Sequence, residues 1–193
     1  MPNRLNGFRG ELKWVHNREG HAGKAYWPGG KSGVTLDPGV DLGYAEPAMV
    51  ESIYRPLLTS EQYTAIEKVF GIRGDAAKQA LDADPVLGSI QINRSQATEI
   101  FDFAAQPYWE AIIKRFPALT DPDTLPSVQT VMLSLAYNRG ALNRGLEVLK
   151  QPIEEKNWSQ VAQLIGSMQQ DHPQEGIRKR RRMEADLIQS ALA

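Results

Sequence analysis

The sequence predicts an α+β domain that is mostly helical, with a small β-sheet lobe near the N-terminus. Three observations carry this reading. Nine of the sixteen glycines lie within the first 45 residues. A strand–turn–strand pattern falls inside that stretch. From Pro47 onward apolar residues recur at the three- and four-residue steps of helices. A chain of 193 residues reads as one domain over 1–193, against roughly 150 residues for an ordinary domain. A core of that size folds without a metal or disulfide staple.

The opening segment predicts a helix from Leu5 to Glu19, stopped by Gly20. On a helical wheel Leu5, Phe8, Leu12, Val15 and Glu19 share one stripe. A carboxylate at the C-terminal end of an apolar stripe is unusual. Burial and the negative end of the helix dipole both disfavour its ionised form, which suits a general acid working near neutral pH. A helix ending at Arg18, or a Glu19 that only pairs with a nearby cation, is the plainer alternative.

Lys24–Trp27, then Pro28–Gly33, then Val34–Leu36 read as strand, turn and strand, with Val34 and Leu36 on one face and Thr35 on the other. Asp37-Pro38-Gly39 is a turn signal, after which Asp41–Tyr44 leads towards helices. Thr35, Asp37 and Asp41 therefore gather a hydroxyl and two carboxylates within seven positions. Two carboxylates on separate elements are the minimum for glycoside hydrolysis: one protonates the leaving oxygen, the other steers water or substrate. Each residue also has an ordinary role. Asp37 suits the turn itself, and that role is favoured for it; Asp41 suits a helix N-cap, and Thr35 a strand.

In the helical body, Thr59–Gln62 and Asn93–Gln96 have the spacing of capping boxes. Pro107, Pro117, Pro122, Pro126 and Pro152 are expected to separate helices, because proline is poorly tolerated inside them. Ser127–Tyr137 reads as a buried helix through Val128, Val131, Met132, Leu135 and Ala136, followed by helices over Trp158–Met168 and Glu175–Ala193.

Composition excludes several classes. The absence of cysteine removes thiol nucleophiles, zinc–thiolate sites and disulfides. No run approaches 18 apolar residues, which excludes a helical membrane span. The first residues lack the apolar core of a secretion signal. Gly30-Lys31-Ser32 lacks the preceding P-loop glycine, Ala25 standing in its place. His16, Glu19 and His21 lack the His-Glu-x-x-His spacing of a zinc helix, and no metal is expected. The net charge of −1 conceals an uneven distribution: six basic and two acidic residues over 1–31, and five consecutive cations over Arg178–Arg182. Basic ends on an acidic body fit a polyanion, nucleic acid or a bacterial wall polymer; solvated helix faces explain them equally simply. Among the aromatics, Trp27 and Tyr44 lie beside the glycine-rich turns and are the candidates for sugar platforms.

Glu19-Gly20, Tyr26, Gly33-Val34-Thr35 and Gly39-Val40-Asp41-Leu42-Gly43 together resemble the active-site region of phage-type lysozymes, the muramidases of glycoside hydrolase family 24, in their pesticin-like branch. The family's commonest endolysin pattern has an Asp nine residues after the Glu, where Pro28 stands here. The pesticin-like branch instead has its Asp six residues after the Thr, which Thr35 and Asp41 match. Asp37-Pro38 replaces the family's first glycine after the Thr and keeps Asp37 as the reserve carboxylate. Leu133–Gly140 is similar to the family's Ala-Phe-Asn-x-Gly helix, and Gly176–Ala185 to its closing Gly-Leu-x-x-Arg-Arg-x-x-Glu helix.

The resemblance implies a lysozyme-like fold, with a small lobe at about 15–60 and a helical lobe formed by the remainder, on which the first helix packs. It implies hydrolysis of the β-1,4 bond between N-acetylmuramic acid and N-acetylglucosamine in peptidoglycan. Glu19 would protonate the glycosidic oxygen, Asp41 support the developing positive sugar and activate water, and Thr35 hold that water. Tyr44, Asn138 and Arg139 would bind substrate. The partners implied are peptidoglycan glycan strands, with no cofactor, no nucleic acid, no membrane segment and a monomeric chain. Without a signal peptide, the protein would be made in the cytoplasm and reach the wall through a holin or another export route. A scaffold that binds the wall without cleaving it, and a lytic transglycosylase, are the alternatives.

Overall fold

The computed structural model describes residues 4–193. In chain order it contains α1 (Leu12–His16), β1 (Thr35–Leu36), β2 (Val40–Asp41), α2 (Pro47–Tyr54), α3 (Ser60–Glu67), α4 (Asp75–Ala83), α5 (Pro85–Gly88), α6 (Arg94–Glu99) and α7 (Phe101–Arg115). There follow α8 (Pro126–Arg139), α9 (Lys150–Glu154), α10 (Trp158–Ser167) and α11 (Glu175–Ser190), with short 3₁₀ turns at Pro117–Thr120 and Arg144–Leu149. Helix accounts for 58% of the chain, and the two-stranded antiparallel sheet lies near the N-terminus, so the mostly helical α+β class holds. Two compact units divide the chain: His16–Ala104, and the residues up to Val15 together with Ala105–Ala193.

In the 16–104 unit, the hairpin places Val34, Leu36, Val40 and Leu42 in a buried cluster with Ile53, Tyr54 and Ile66. Each such side chain stabilises the fold by roughly 1.5–3 kcal/mol through burial. The strand partners differ from the sequence expectation. Residues 40–41 form the second strand, while the Lys24–Trp27 segment contributes single bridges, Tyr26 to Thr35 and Lys24 to Gln91. Loop length explains the difference. The Leu36–Gly39 turn is tight, closed by Gly39 N–H to the Leu36 carbonyl at 2.9 Å with Gly39 at φ +105°, whereas six residues separate Trp27 from Val34 and let the chain peel away.

Helix starts follow the predicted chemistry. Thr59 and Gln62 close a reciprocal capping box, as do Asn93 and Gln96, each pair satisfying two backbone amides.

The opening helix is much shorter than predicted: α1 spans only Leu12–His16, and Glu19 lies beyond its end. Leu5, Phe8 and Val15 are buried as the stripe requires, but the backbone of residues 6–11 is not helical. Its amides bond outward instead. Gln129 Oε1 accepts Arg9 N–H at 2.6 Å, and Thr130 Oγ1 accepts Glu11 N–H at 2.8 Å. The Arg9 guanidinium donates to the carbonyls of Asp121, Pro122 and Thr124. A Cβ at Gly10 would lie 2.6 Å from Thr130 Oγ1, so glycine permits this close approach. Tertiary hydrogen bonds have overridden the helical periodicity.

Pro107 is a second correction, since it sits inside α7 and does not end it. Interior proline costs about 3 kcal/mol; the burial of Ala105, Trp109 and Ile112 along the same helix exceeds that. The predicted buried helix is α8, in which every residue from Val128 to Ala136 is buried, Gln129, Thr130 and Ser134 included. Gln129 Nε2 donates to the carbonyls of Gly7 (2.9 Å) and Leu119 (2.7 Å). α11 packs against α8 and α10.

Gln129→Leu keeps the volume but strands one amide and two carbonyls in the interior. The expected loss is about 2–4 kcal/mol of stability, to be read as a lower urea-unfolding midpoint.

Candidate active site

Thr35 and Asp41 stand directly opposite each other on β1 and β2. Their side chains therefore project on the same side of the ribbon, with Cβ atoms about 5 Å apart. Leu36 and Val40 project on the other side, into the core. Tyr26 extends the polar row from the opposite edge: its N–H and carbonyl exchange bonds with Thr35 at 3.1 and 2.8 Å. The Tyr26 phenol is pushed up from its ordinary value, first by burial and then by the carboxylates of Asp37 and Asp41.

The two aspartates are held differently. Asp37 is only 3% exposed. Its Oδ1 accepts Ala22 N–H at 3.3 Å, its Oδ2 accepts Gly23 N–H at 2.5 Å, and His21 Nδ1 lies 3.1 Å from Oδ2. Both oxygens are engaged, and they tie the chain at 21–23 to the hairpin instead of bonding the local turn. Asp41 is half-buried. Its Oδ1 accepts Gly33 N–H and Gly43 N–H, both at 2.9 Å, while Oδ2 receives no hydrogen bond from any described residue. Asp41 does not cap a helix. It pins the two turns that flank the strands and does so with one oxygen alone. Thr35 is buried, its Oγ1 3.4 Å from the Gly33 carbonyl.

Glu19 is half-buried, its N–H bonded to the His16 carbonyl at 3.0 Å. It precedes His21 by two residues, so its Cα lies within about 7 Å of the His21 Cα. The segment that carries Glu19 is therefore anchored to the hairpin through the His21–Gly23 contacts with Asp37. Tyr44 lies beyond β2, 58% exposed, its hydroxyl donating to the Lys31 carbonyl at 3.1 Å.

One residue that the sequence reading set aside as a metal ligand is placed in the interior of the same unit. His16 is buried, its Nδ1 2.9 Å from Thr98 Oγ1 and its ring against Phe101. Nε2 is buried with no hydrogen-bond partner among the described residues. Burial first, then the Arg94 and His21 charges, pull this imidazole below its ordinary value, against Asp37.

The remaining expected site residues belong to the other unit. Asn138 Oδ1 accepts from Arg181 Nη2 at 3.0 Å. Arg139 Nη1 lies 3.1 Å from Met168 Sδ and Nη2 3.4 Å from Asn143 Oδ1. Burial draws the Arg139 guanidinium below its usual value, with the Glu184 carboxylate opposing. Glu184 is fully buried, its Oε1 accepting from Ser134 Oγ (2.6 Å), Arg180 Nε (3.3 Å) and Arg181 Nη2 (3.2 Å), with Arg181 Nε 3.0 Å from Oε2. Burial raises this carboxyl from its ordinary value, against the pull of Arg181, Ser134 and Arg180. The basic run is thus a solvated face only in part, Lys179 and Arg182 being exposed. Arg180 and Arg181 are interior, Arg178 donates to the carbonyls of His172 and Pro173, and Arg182 donates to Gln170 Oε1. The signal for this network is present in the sequence as Ser134 among the apolar residues of α8.

The chain matches no protein-family model, and no curated protein matches it significantly.

Two outcomes follow. Because folded His16 binds its proton less readily than unfolded histidine (ordinary value 6.5), its contribution is complete above that pH and is lost as pH falls below it. Unfolding free energy measured between pH 5 and 8 should decline on the acid side, and His16→Gln should flatten that decline. Glu184→Ala removes the carboxylate that two buried guanidiniums face and should cost about 3–5 kcal/mol, measured by chemical denaturation.

Proposed function

We propose that the protein is a peptidoglycan hydrolase, a muramidase that cleaves the β-1,4 bond between N-acetylmuramic acid and N-acetylglucosamine. The observation that carries the reading is the hairpin register. Thr35 and Asp41, the two residues whose spacing resembles the pesticin-like branch of phage-type lysozymes, are direct cross-strand partners. They lie within the same unit as Glu19, beside the segment that follows it. The closing motif supports the same reading. Its Arg180, Arg181 and Glu184 are the buried charged residues of α11, while Lys179 and Arg182 are exposed.

In this mechanism Glu19 donates its proton to the glycosidic oxygen as the bond breaks. The Asp41 carboxylate stabilises the positive charge that develops on the sugar and takes a proton from the attacking water. Its Oδ1 is fixed by two amides, so the group is oriented before substrate arrives, and Oδ2 is the basic atom. The Thr35 hydroxyl holds the water beside it. Asp37, with both oxygens engaged, serves as the strut of the site. The protein acts on bacterial cell walls as a bacteriolytic enzyme of lysozyme-like fold.

Incubation with purified peptidoglycan should release new reducing ends, with products one water heavier than the anhydro-sugars of a transglycosylase. Glu19→Gln and Asp41→Asn should each lower turnover by about 100-fold or more, with Thr35→Ala between these and the native protein. Equal wall clearing by the native protein and Glu19→Gln removes Glu19 from the mechanism. Loss in Asp37→Asn alone, with unfolding unchanged, transfers the second role to Asp37.

A further inference from the structure

An open pocket of about 350 Å³ is lined by Lys31, Tyr44, Arg73 and Gly74. It is assembled from three loops of the 16–104 unit by main-chain bonds. Gly74 N–H donates to the Ser32 carbonyl at 2.9 Å, and Gly71 N–H to the Leu42 carbonyl at 3.1 Å. The Tyr44 hydroxyl closes the third side on the Lys31 carbonyl. Gly43 permits the assembly, since a Cβ there would meet Arg73 Cγ at 2.6 Å and the Ile72 carbonyl at 2.8 Å.

The pocket's chemistry is specific. The Arg73 guanidinium stacks on Tyr44, 4.8 Å from the ring centroid, and Tyr44 nonetheless keeps more than half of its surface exposed. Neither Lys31 nor Arg73 has a carboxylate partner among the described residues. Two unneutralised cations beside an exposed phenol ring, in a concave site of small-molecule size, suit a ligand with an apolar ring face and a carboxylate. A neutral sugar would leave both cations unused.

We propose that this pocket is a subsite for an N-acetylmuramic acid unit, its ring against Tyr44 and its lactyl carboxylate on Arg73 and Lys31. The identity of the sugar rests on the muramidase reading; the anionic character of the ligand rests on the pocket itself. Such a subsite lies one hairpin turn from Asp41 along the chain, because Tyr44 follows Asp41 by three residues. It would select the carboxylate-bearing sugar over N-acetylglucosamine and so fix which of the two alternating glycosidic bonds is presented.

The test is a titration of the full-length, ¹⁵N-labelled protein with N-acetylmuramic acid, N-acetylglucosamine and sodium lactate separately. N-acetylmuramic acid should shift the amides of Ser32, Tyr44 and Gly74 and bind more tightly than either fragment. Arg73→Gln and Lys31→Gln, both surface changes, should each weaken it by about tenfold, as loss of one charge-assisted bond does. On peptidoglycan the same variants should raise KM and leave kcat near native. Equal binding of the two sugars, unaffected by either variant, overturns the proposal, as does lactate binding as tightly as the whole sugar. Shifts confined to other residues overturn it too. If no glycosidic bond is cleaved but the variant-sensitive pocket shifts persist, the subsite stands and the hydrolase reading falls.

Discussion

Asp41 Oδ1 accepts two amides, those of Gly33 and Gly43, and through them joins the turn before β1 to the turn after β2. The rest of the 16–104 unit's polar surface depends on that join. The strands are only two residues deep, too short for ladder bonds alone to specify a pairing. Shifting β1 by one residue would send Val34 and Leu36 to the polar side and turn Thr35 inward, and shifting β2 would do the same with Val40, Leu42 and Asp41. Register is fixed from one side by burial of those four residues and from the other by a carboxylate that bonds two amides at once. The carboxylate is thereby oriented by one oxygen, while its Oδ2 receives no hydrogen bond from any described residue.

A division of labour between the two aspartates emerges from this geometry. Four residues apart and alike in chemistry, they differ in how many oxygens the backbone has taken. Asp37 is saturated and interior, joining the His21–Gly23 segment to the hairpin, and its backbone carbonyl also accepts the Tyr54 hydroxyl at 2.9 Å. Asp41 is partly open. The helical unit uses a comparable device: a hydroxyl and two guanidiniums surround Glu184 and lock α11 to α8. Ser134 is tolerated deep in α8 because its hydroxyl is paired within this network.

Much of this was legible in the residues. Capping boxes were readable because their two halves lie three positions apart and need no tertiary information. The alternation of Val34, Thr35 and Leu36 gave the correct faces for the same reason. The opening segment was misread because its periodicity is real but its amides are taken by Gln129 and Thr130, about 120 residues away. A pattern local in sequence cannot reveal a partner that distant. Pro107 was misread because its cost is local while its compensation, the burial around Trp109, is not. The difference between Asp37 and Asp41 was hidden as well, since Ala22 and Gly23 carry no side-chain mark of the bonds their amides make.

The meeting of Gly33 and Gly43 has a consequence for how variation in this region should be interpreted. A methyl group at position 33 would lie 2.6 Å from Asp41 Oδ1, and one at 43 would press on Arg73 and the Ile72 carbonyl. Intolerance of substitution at either position in a saturation library would therefore register a steric collision, with the Gly43 amide in one case and the Ile72 carbonyl in the other. Such intolerance, however severe, marks the mould of the hairpin and says nothing of the side chains that its polar face carries.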